Sequence, residues 1–561
     1  MAKVSLKPGW DLAEAVVSLI SMKTMRHIGG PTVRLGLGAW VLAGLLGLAA
    51  CSGEPSAVAD RTLRMALRFE PPTLDWSLAT DGVSFNVLTN IMEGLTQYNQ
   101  QLEPVPAIAR HWEFSEGGRV ITYTLREDVT WTDGRPVTAQ DFEYSWKRLL
   151  NPATAAEYAY FLFDIENAYE YNSGQIKDPD QVGVKALSPT VLQVRLKRPV
   201  IYFPSITTFM VTFPQRQDVI ERYGNHWTDP EHIVTNGPFT LEEWHHEYKL
   251  VLETNPDYYD TRPAIDRVIL YVVRNPTTEL TLYETGELDL AELPPVAIPH
   301  YRSSPEYKNL PVLRGYYYGF NVKKPPFDDP RVRRALSHAI DRSQIPVILK
   351  GGELPTASWI PKGMFGYNPA VGPKFDPEKA RALLAEAGYS GGRKFPAFRV
   401  AYNTDPTHRL IAQFVQAQWK EHLGLEVGLE DQEWKVYLKT LSVDPPPVFR
   451  LGWGADFPDP DNFMNLFIST SGNNRLQWKN ERYDRLVARG AAEQDPKTRQ
   501  AIYDEAQILL TETDAAIISL FVSAQNLLVK PYVQNLDINA MEWVYLKRVR
   551  LTAKPPATDT S

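Results

Sequence analysis

Cys51 is the only cysteine in the 561-residue chain, and it directly follows the only sustained apolar run, Leu35–Ala50 (LGLGAWVLAGLLGLAA). These two facts set the terms on which everything else folds. The run is 16 residues long, short for a bilayer-spanning helix, and no second run exists, so a polytopic membrane protein is excluded. Lys23, Arg26, His27 and Arg34 precede it and Leu48-Ala49-Ala50 end it, the form of a secretory signal core. Residues 1–50 are therefore expected to be a signal peptide. Asp11 and Glu14 suit such a peptide poorly, which points to Met22 or Met25 as its start. With one cysteine there is no internal disulfide and no thiol-ligated zinc, and an exported chain so made avoids mispairing. Its cores must come from apolar burial, for which this length is ample and suggests several domains. The formal charge of −8 and a pI near 5.8 argue against a general nucleic-acid binder.

Residues 51–60 are small and polar after the cysteine and read as a tether. Beyond them strands and helices alternate without a repeat. Thr190–Leu196 places Leu192, Val194 and Leu196 on one face, the period of a half-buried strand. Ile121, Tyr123 and Leu125 do the same, as do Val268, Leu270 and Val272. Helix starts are marked by caps. Thr138 stands three residues before Asp141 and opens Phe142, Trp146 and Leu149. Asp329-Pro330 and Asp376-Pro377 each place proline at a first helical position, and Gly388 is the stop for the second helix. An amphipathic stretch runs from Pro496 to Thr513. The class is mixed α/β, with residues 554–561 expected to be a disordered tail.

Catalytic signatures are absent from the sequence: there is no G-x-S-x-G elbow, phosphate-binding loop, H-E-x-x-H or C-x-x-C. His245-His246 are adjacent, so they point different ways and are expected to be surface residues rather than joint metal ligands. Asp456, Asp459, Asp461 and Asn462 crowd one loop, GWGADFPDPDNF, but the EF-hand glycine and closing glutamate are missing. No metal, cofactor or catalytic residue is expected.

GWGADFPDPDNFMNLF (452–467) resembles the ligand-strand region of the oligopeptide-binding proteins of bacterial ABC importers, in the peptide/nickel solute-binding family. Further segments agree in order: PPTLDW (71–76), EGLTQYN (93–99), ITYTLREDVTWTDGRPVTAQDF (121–142), TNGPFTLEEW (235–244) and PDYYD (256–260). YYYGFNVKKPPFDDPRVRRALSHAIDR (316–342) and YNTDPTHRLIAQFVQAQWKEHLGLEVGLEDQEW (402–434) complete the set. Leu48-Ala49-Ala50-Cys51 separately resembles the lipobox of bacterial lipoproteins, which implies a lipid on Cys51. The resemblance implies an α/β three-domain periplasmic binding protein, type II-like, with an extra inserted domain and two lobes closing on a buried ligand. Domain I would comprise 61–92, 223–315 and 523–553, domain II 93–222 and domain III 316–522. Lobe crossings would fall near Tyr316–Phe320 and Phe521–Asn526. The implied function is a lipid-anchored receptor on the periplasmic face of a bacterial membrane, a monomer that delivers short peptides to an inner-membrane ABC permease.

A receptor for peptides of any sequence must read what all peptides share: backbone, ammonium and carboxylate. Backbone is read by adding the peptide as a strand. By resemblance, Gly452-Trp453-Gly454 supplies one such strand and the segment around Ala79–Gly82, with Thr80, the other. Asp456 matches the aspartate that pairs with the ligand ammonium. His408 and Arg450 match cationic partners of the carboxylate, with Lys323 or Lys324 as a further cation. Leu441 replaces a second arginine of many relatives. Trp434 and Trp453 would line side-chain pockets, with Tyr158 and Tyr317 as additional contacts. The competing readings are a murein-peptide, dipeptide or haem binder on the same fold and, from a different class, an exported peptide hydrolase or a chaperone.

Overall fold

The structure, a computed structural model, describes residues 61–552. The expected signal peptide of 1–50, Cys51, the expected tether of 51–60 and the expected tail of 554–561 lie outside the described residues.

Three main sheets carry the molecule. In the first, Thr62–Leu67 lies parallel to Arg267–Val272, which pairs antiparallel with Lys249–Thr254, and that strand with Phe239–His245. The second is an antiparallel set in the order Ala109–Ser115, Val120–Leu125, Val191–Arg195, Val184–Ser188. All of it comes from the chain between the first and second strands, in sequence, of the first sheet. Alternation places these strands as the sequence predicts: Ile121, Tyr123, Leu125, Leu192, Val194 and Leu196 are buried. Helix Ala139–Leu150 packs on this sheet, and its Asp141 carboxylate accepts from the Thr138 N–H at 2.8 Å.

The third sheet has seven strands and is mixed. Its spine is two long antiparallel strands, Tyr307–Phe320 and Ile517–Val529. Val448–Gly454 lies antiparallel on the outer side of the first, followed by Phe398–Asn403 and Val427–Gln432. The two faces serve different cores. Tyr317 faces a core with Trp359 and Phe467, whereas Tyr316 and Tyr318 face a second core built on helices Pro330–His338, Pro377–Glu386 and Pro406–Leu423. The first two helices begin with proline under the caps Asp329 and Asp376, and Gly388 follows the second with φ +96°. Helix Pro496–Ile508 ends in a wider turn over Leu509–Thr513, completing the amphipathic stretch.

Pairing along the spine breaks between Pro311 and Gly315. There Leu313 turns its N–H to the Ala540 carbonyl (2.6 Å), and its own carbonyl accepts from the Ala455 N–H (2.8 Å). The break thus ties the end of Val448–Gly454 to the spine and fixes where Asp456 begins.

Candidate ligand-binding site

Val448–Gly454 is paired along one edge and mostly open along the other. It matches Tyr307–Phe320 from Arg314↔Gly454 to Phe320↔Val448, but Phe398–Asn403 reaches it only at Val448 and Phe449. Where that neighbour diverges, the Tyr437 hydroxyl lies between the strands, 2.6 Å from the Arg450 carbonyl and 3.1 Å from that of Ala401. Among the described residues no strand pairs with the open edge of Leu451–Gly454. Unpaired backbone of this kind is a template for an added strand. Gly452 lets the paired side close: a Cβ there would stand 2.9 Å from the Gly315 carbonyl oxygen.

At one end of this edge is Asp456. Its backbone N–H donates to Asn462 Oδ1 (3.1 Å), Asn462 Nδ2 donates to its Oδ2 (3.2 Å), and the Tyr158 hydroxyl reaches its Oδ1 at 3.4 Å. Tyr158 comes from the stretch Glu157–Leu162, and Phe85 of helix Gly82–Ile91 packs edge-on against its ring. Burial pushes the Asp456 carboxyl up to about 6, against hydrogen bonds from Asn462, Tyr158 and Tyr160 that favour the ion. The arrangement is a half-satisfied carboxylate suited to a charge-assisted bond from an ammonium.

Arg450 stands six positions earlier, at most about 20 Å along extended chain. Its guanidinium lies over the Tyr316 ring (4.5 Å to the centroid), and one Nη donates to Asn403 Oδ1 at 3.1 Å. The His408 ring is 5.5 Å from that of Tyr316, and Asp405 caps its helix by accepting from the His408 N–H. Arg450 Nε, His408 Nδ1 and the hydroxyls of Tyr316 and Tyr318 are buried with no hydrogen-bond partner. His408 Nδ1 has Asp405 Oδ1 nearby at 3.7 Å, beyond hydrogen-bond range, and buried polar atoms left so are costly.

The structure brings Asp456, Tyr158 and Trp453 together and, separately, Arg450 and His408. It corrects several expectations. His408 is not a second cation in this state, because burial and then the Arg450 charge hold its pKa down to about 3. Tyr317 is buried with Trp359 and Phe467 on the sheet face it shares with Leu451 and Trp453, whereas Tyr316 and Tyr318 share the face of Arg450 and are buried in the second core. Ala79–Gly82 forms no strand but the loop into a helix, with Asp81 capping Val83 and Ser84 and Thr80 exposed. Lys324 pairs with Asp444 at 2.7 Å rather than joining Arg450, and Lys323 is exposed. Leu441 is 1% exposed inside the core, so an arginine cannot simply be restored there. Trp434 is 46% exposed and hence free to meet a ligand, whereas the Trp453 indole N–H donates to Asn462 Oδ1 at 2.9 Å. Gly454 is exposed at the strand end.

The acidic residues that follow Asp456 have partners of their own within the fold. Asp459 is held by Arg499 through contacts of 2.8 and 2.9 Å, and Asp461 by the Tyr202 hydroxyl at 2.8 Å. His245 and His246 turn to different partners, Glu243 and Glu70.

An open strand edge with a buried carboxylate at one end and the Arg450 guanidinium at the other suits an extended, dipolar solute. Comparison with known proteins agrees. The family model for bacterial extracellular solute-binding proteins, family 5 Middle, matches residues 103–475, and the chain belongs to that family. It is 33% identical over 486 residues to the oligopeptide-binding protein OppA of Bacillus subtilis, covering 84% of this chain and 89% of that one. It is 34% identical over 505 residues to the periplasmic murein peptide-binding protein MppA of Escherichia coli, covering 87% and 92%. The Haemophilus influenzae OppA structure in complex with RPPGFSPFR superposes with a TM-score of 0.75 at 31% identity, covering 88% and 99%. The fold is the mixed α/β, multi-domain architecture of periplasmic binding proteins, and the family is one of solute receptors, not enzymes.

Proposed function

We propose that the chain captures short peptides in extended form and delivers them to an ABC permease. The observation that carries this is the open edge of Leu451–Gly454 lying between Asp456 and the Arg450 cluster. A peptide added there runs antiparallel to Val448–Gly454, its ammonium at Asp456 and its carboxylate at Arg450. Side chains reaching inward from both ends leave space for about three to five extended residues. Tyr158 approaches the ammonium, and Trp453 and Trp434 wall the side chains. Thr80 stands in the loop from which the opposite backbone contacts would come, and Lys323 and Lys324 are the outer cations for longer ligands. The relatives named for oligopeptide and murein-peptide binding support this class of ligand.

The domain division proposed is 61–92, 223–315 and 523–553, then 93–222, then 316–522; the first two sheets fall wholly within its first and second parts, and the long strands Tyr307–Phe320 and Ile517–Val529 of the third sheet cross from the first part to the third. The lipobox-like sequence supports lipid attachment at Cys51 and anchoring as a monomer at the periplasmic face, with the permease in the inner membrane. The test is to incubate the purified protein with a defined tetrapeptide, then follow binding by calorimetry and the peptide by mass spectrometry. Saturable binding with the peptide returned intact is expected; no binding, or cleavage, would contradict the reading.

A further inference from the structure

Asn462 takes no part in the strand edge and is buried, at 7% exposed, yet it touches both ends of the ammonium site. It sits in the short helix Pro460–Met464, fixed before any ligand arrives. Asp459 caps that helix by accepting from the Asp461 N–H at 2.9 Å, and Asp459 itself is clamped by Arg499. The Asn462 N–H donates to the Asp459 carbonyl at 3.0 Å. From this base the carboxamide makes three bonds. Its oxygen accepts from the Asp456 N–H and the Trp453 indole N–H, and its NH2 group donates to Asp456 Oδ2.

The chemistry of these partners fixes the amide orientation. Two donors face the oxygen and a carboxylate faces the nitrogen; a flipped amide would set donor against donor and acceptor against acceptor. No other side chain of this size does the same work. Aspartate has the shape but no donor, and glutamine would displace the amide by a methylene.

We propose that Asn462 is a positioning residue for the bound ammonium: one carboxamide aims the carboxylate that receives it and the indole that walls it. This rests on the peptide reading for the identity of the ligand, but not for the geometry. Its donor stabilises the ionised form of a carboxyl that burial disfavours, so Asp456 is charged at neutral pH when the ammonium arrives.

The test has two arms. In the first, carboxyl-carbon NMR follows the titration of Asp456 in ligand-free wild type, Asn462→Ala and Asn462→Asp. Loss of the donor should raise its midpoint by about one unit in Asn462→Ala. Asn462→Asp keeps both accepting contacts, so it guards against misfolding, and it should raise the midpoint further through a like charge. An unchanged midpoint in the folded variants overturns the proposal. In the second arm, calorimetry with tetra-alanine at pH 7 compares Asn462→Ala in wild-type and Asp456→Asn backgrounds. A loss of about tenfold in wild type that vanishes when Asp456 is already neutralised is expected for residues acting as one unit. The same loss in both backgrounds means a merely structural role and overturns the proposal. If wild type binds no peptide, the peptide reading fails while the first arm still decides the role of Asn462.

Discussion

Asp456 receives an ammonium only when ionised, and its burial sets the pH at which that holds. The free carboxyl titrates near 6, and a bound ammonium lowers that value by favouring the ion. Binding below pH 6 must therefore expel a proton. Peptide affinity should be full above that pH and fall below it, approaching a tenfold loss per unit; calorimetry from pH 4.5 to 8 checks this. Leu441→Arg should not widen the range of peptide lengths. With the side chain in the core, it should instead cost on the order of 3 kcal/mol of stability, read by denaturant unfolding. At this scale the sequence offered Asp456, Arg450 and His408 as candidates through the distinctive motifs around them. Three consecutive tyrosines alternate faces, and only the pairing of Tyr318 with Arg450 and of Gly315 with Trp453 says which of them share a face with which site residue. Asn462, Asn403 and Tyr437 act through side-chain hydrogen bonds across the fold, and nothing local in the sequence marks such partners.

Strands and capped helices were largely legible, because alternation and Asp-Pro or Thr-x-x-Asp starts are local signals. The Asp81 loop was not. Its extended backbone serves as a helix entrance, so the expected second strand is absent there. The edge strand itself depends on a feature legible only as a glycine. A methyl at Gly452 would press on the Gly315 carbonyl oxygen at 2.9 Å, inside ordinary contact and part of the backbone, and would stand 3.5 Å from Arg450 Nη2. Gly452→Ala should therefore cost about 1–3 kcal/mol by thermal or denaturant unfolding and weaken peptide binding at the same time. Gly454→Ala meets only the Arg314 side chain, at 3.6 Å, and should leave stability nearly unchanged. Equal losses from the two would mean that the close pairing at Gly452 does not govern the edge.

Over the whole molecule, the loop after the edge strand joins distant stretches of chain. Phe457 stacks on Tyr202 at 5.3 Å, and the Tyr202 hydroxyl donates to Asp461. Asp461 is raised to about 7, first by burial and then by the neighbouring Asp459 and Asp164 charges, with Arg198 opposing. A carboxyl raised on folding from about 4 contributes stability below that pH and loses it as pH rises through 7. Asp461→Asn, which cannot ionise, should raise the melting temperature relative to wild type at pH 8 more than at pH 5. The order of these contacts was invisible in sequence, since residues 202 and 461 meet only through the folding of separate sheets. The central claim is that a peptide is held as an added strand between Asp456 and Arg450. The most direct measurement is calorimetry with tetra-alanine, its N-acetyl form, its C-terminal amide and the doubly blocked peptide. Acetylation should cost about 3–5 kcal/mol through an unpaired buried carboxylate, an effect abolished by Asp456→Asn, and amidation should cost affinity in a manner abolished by Arg450→Ala. Equal affinity for all four peptides would contradict the account.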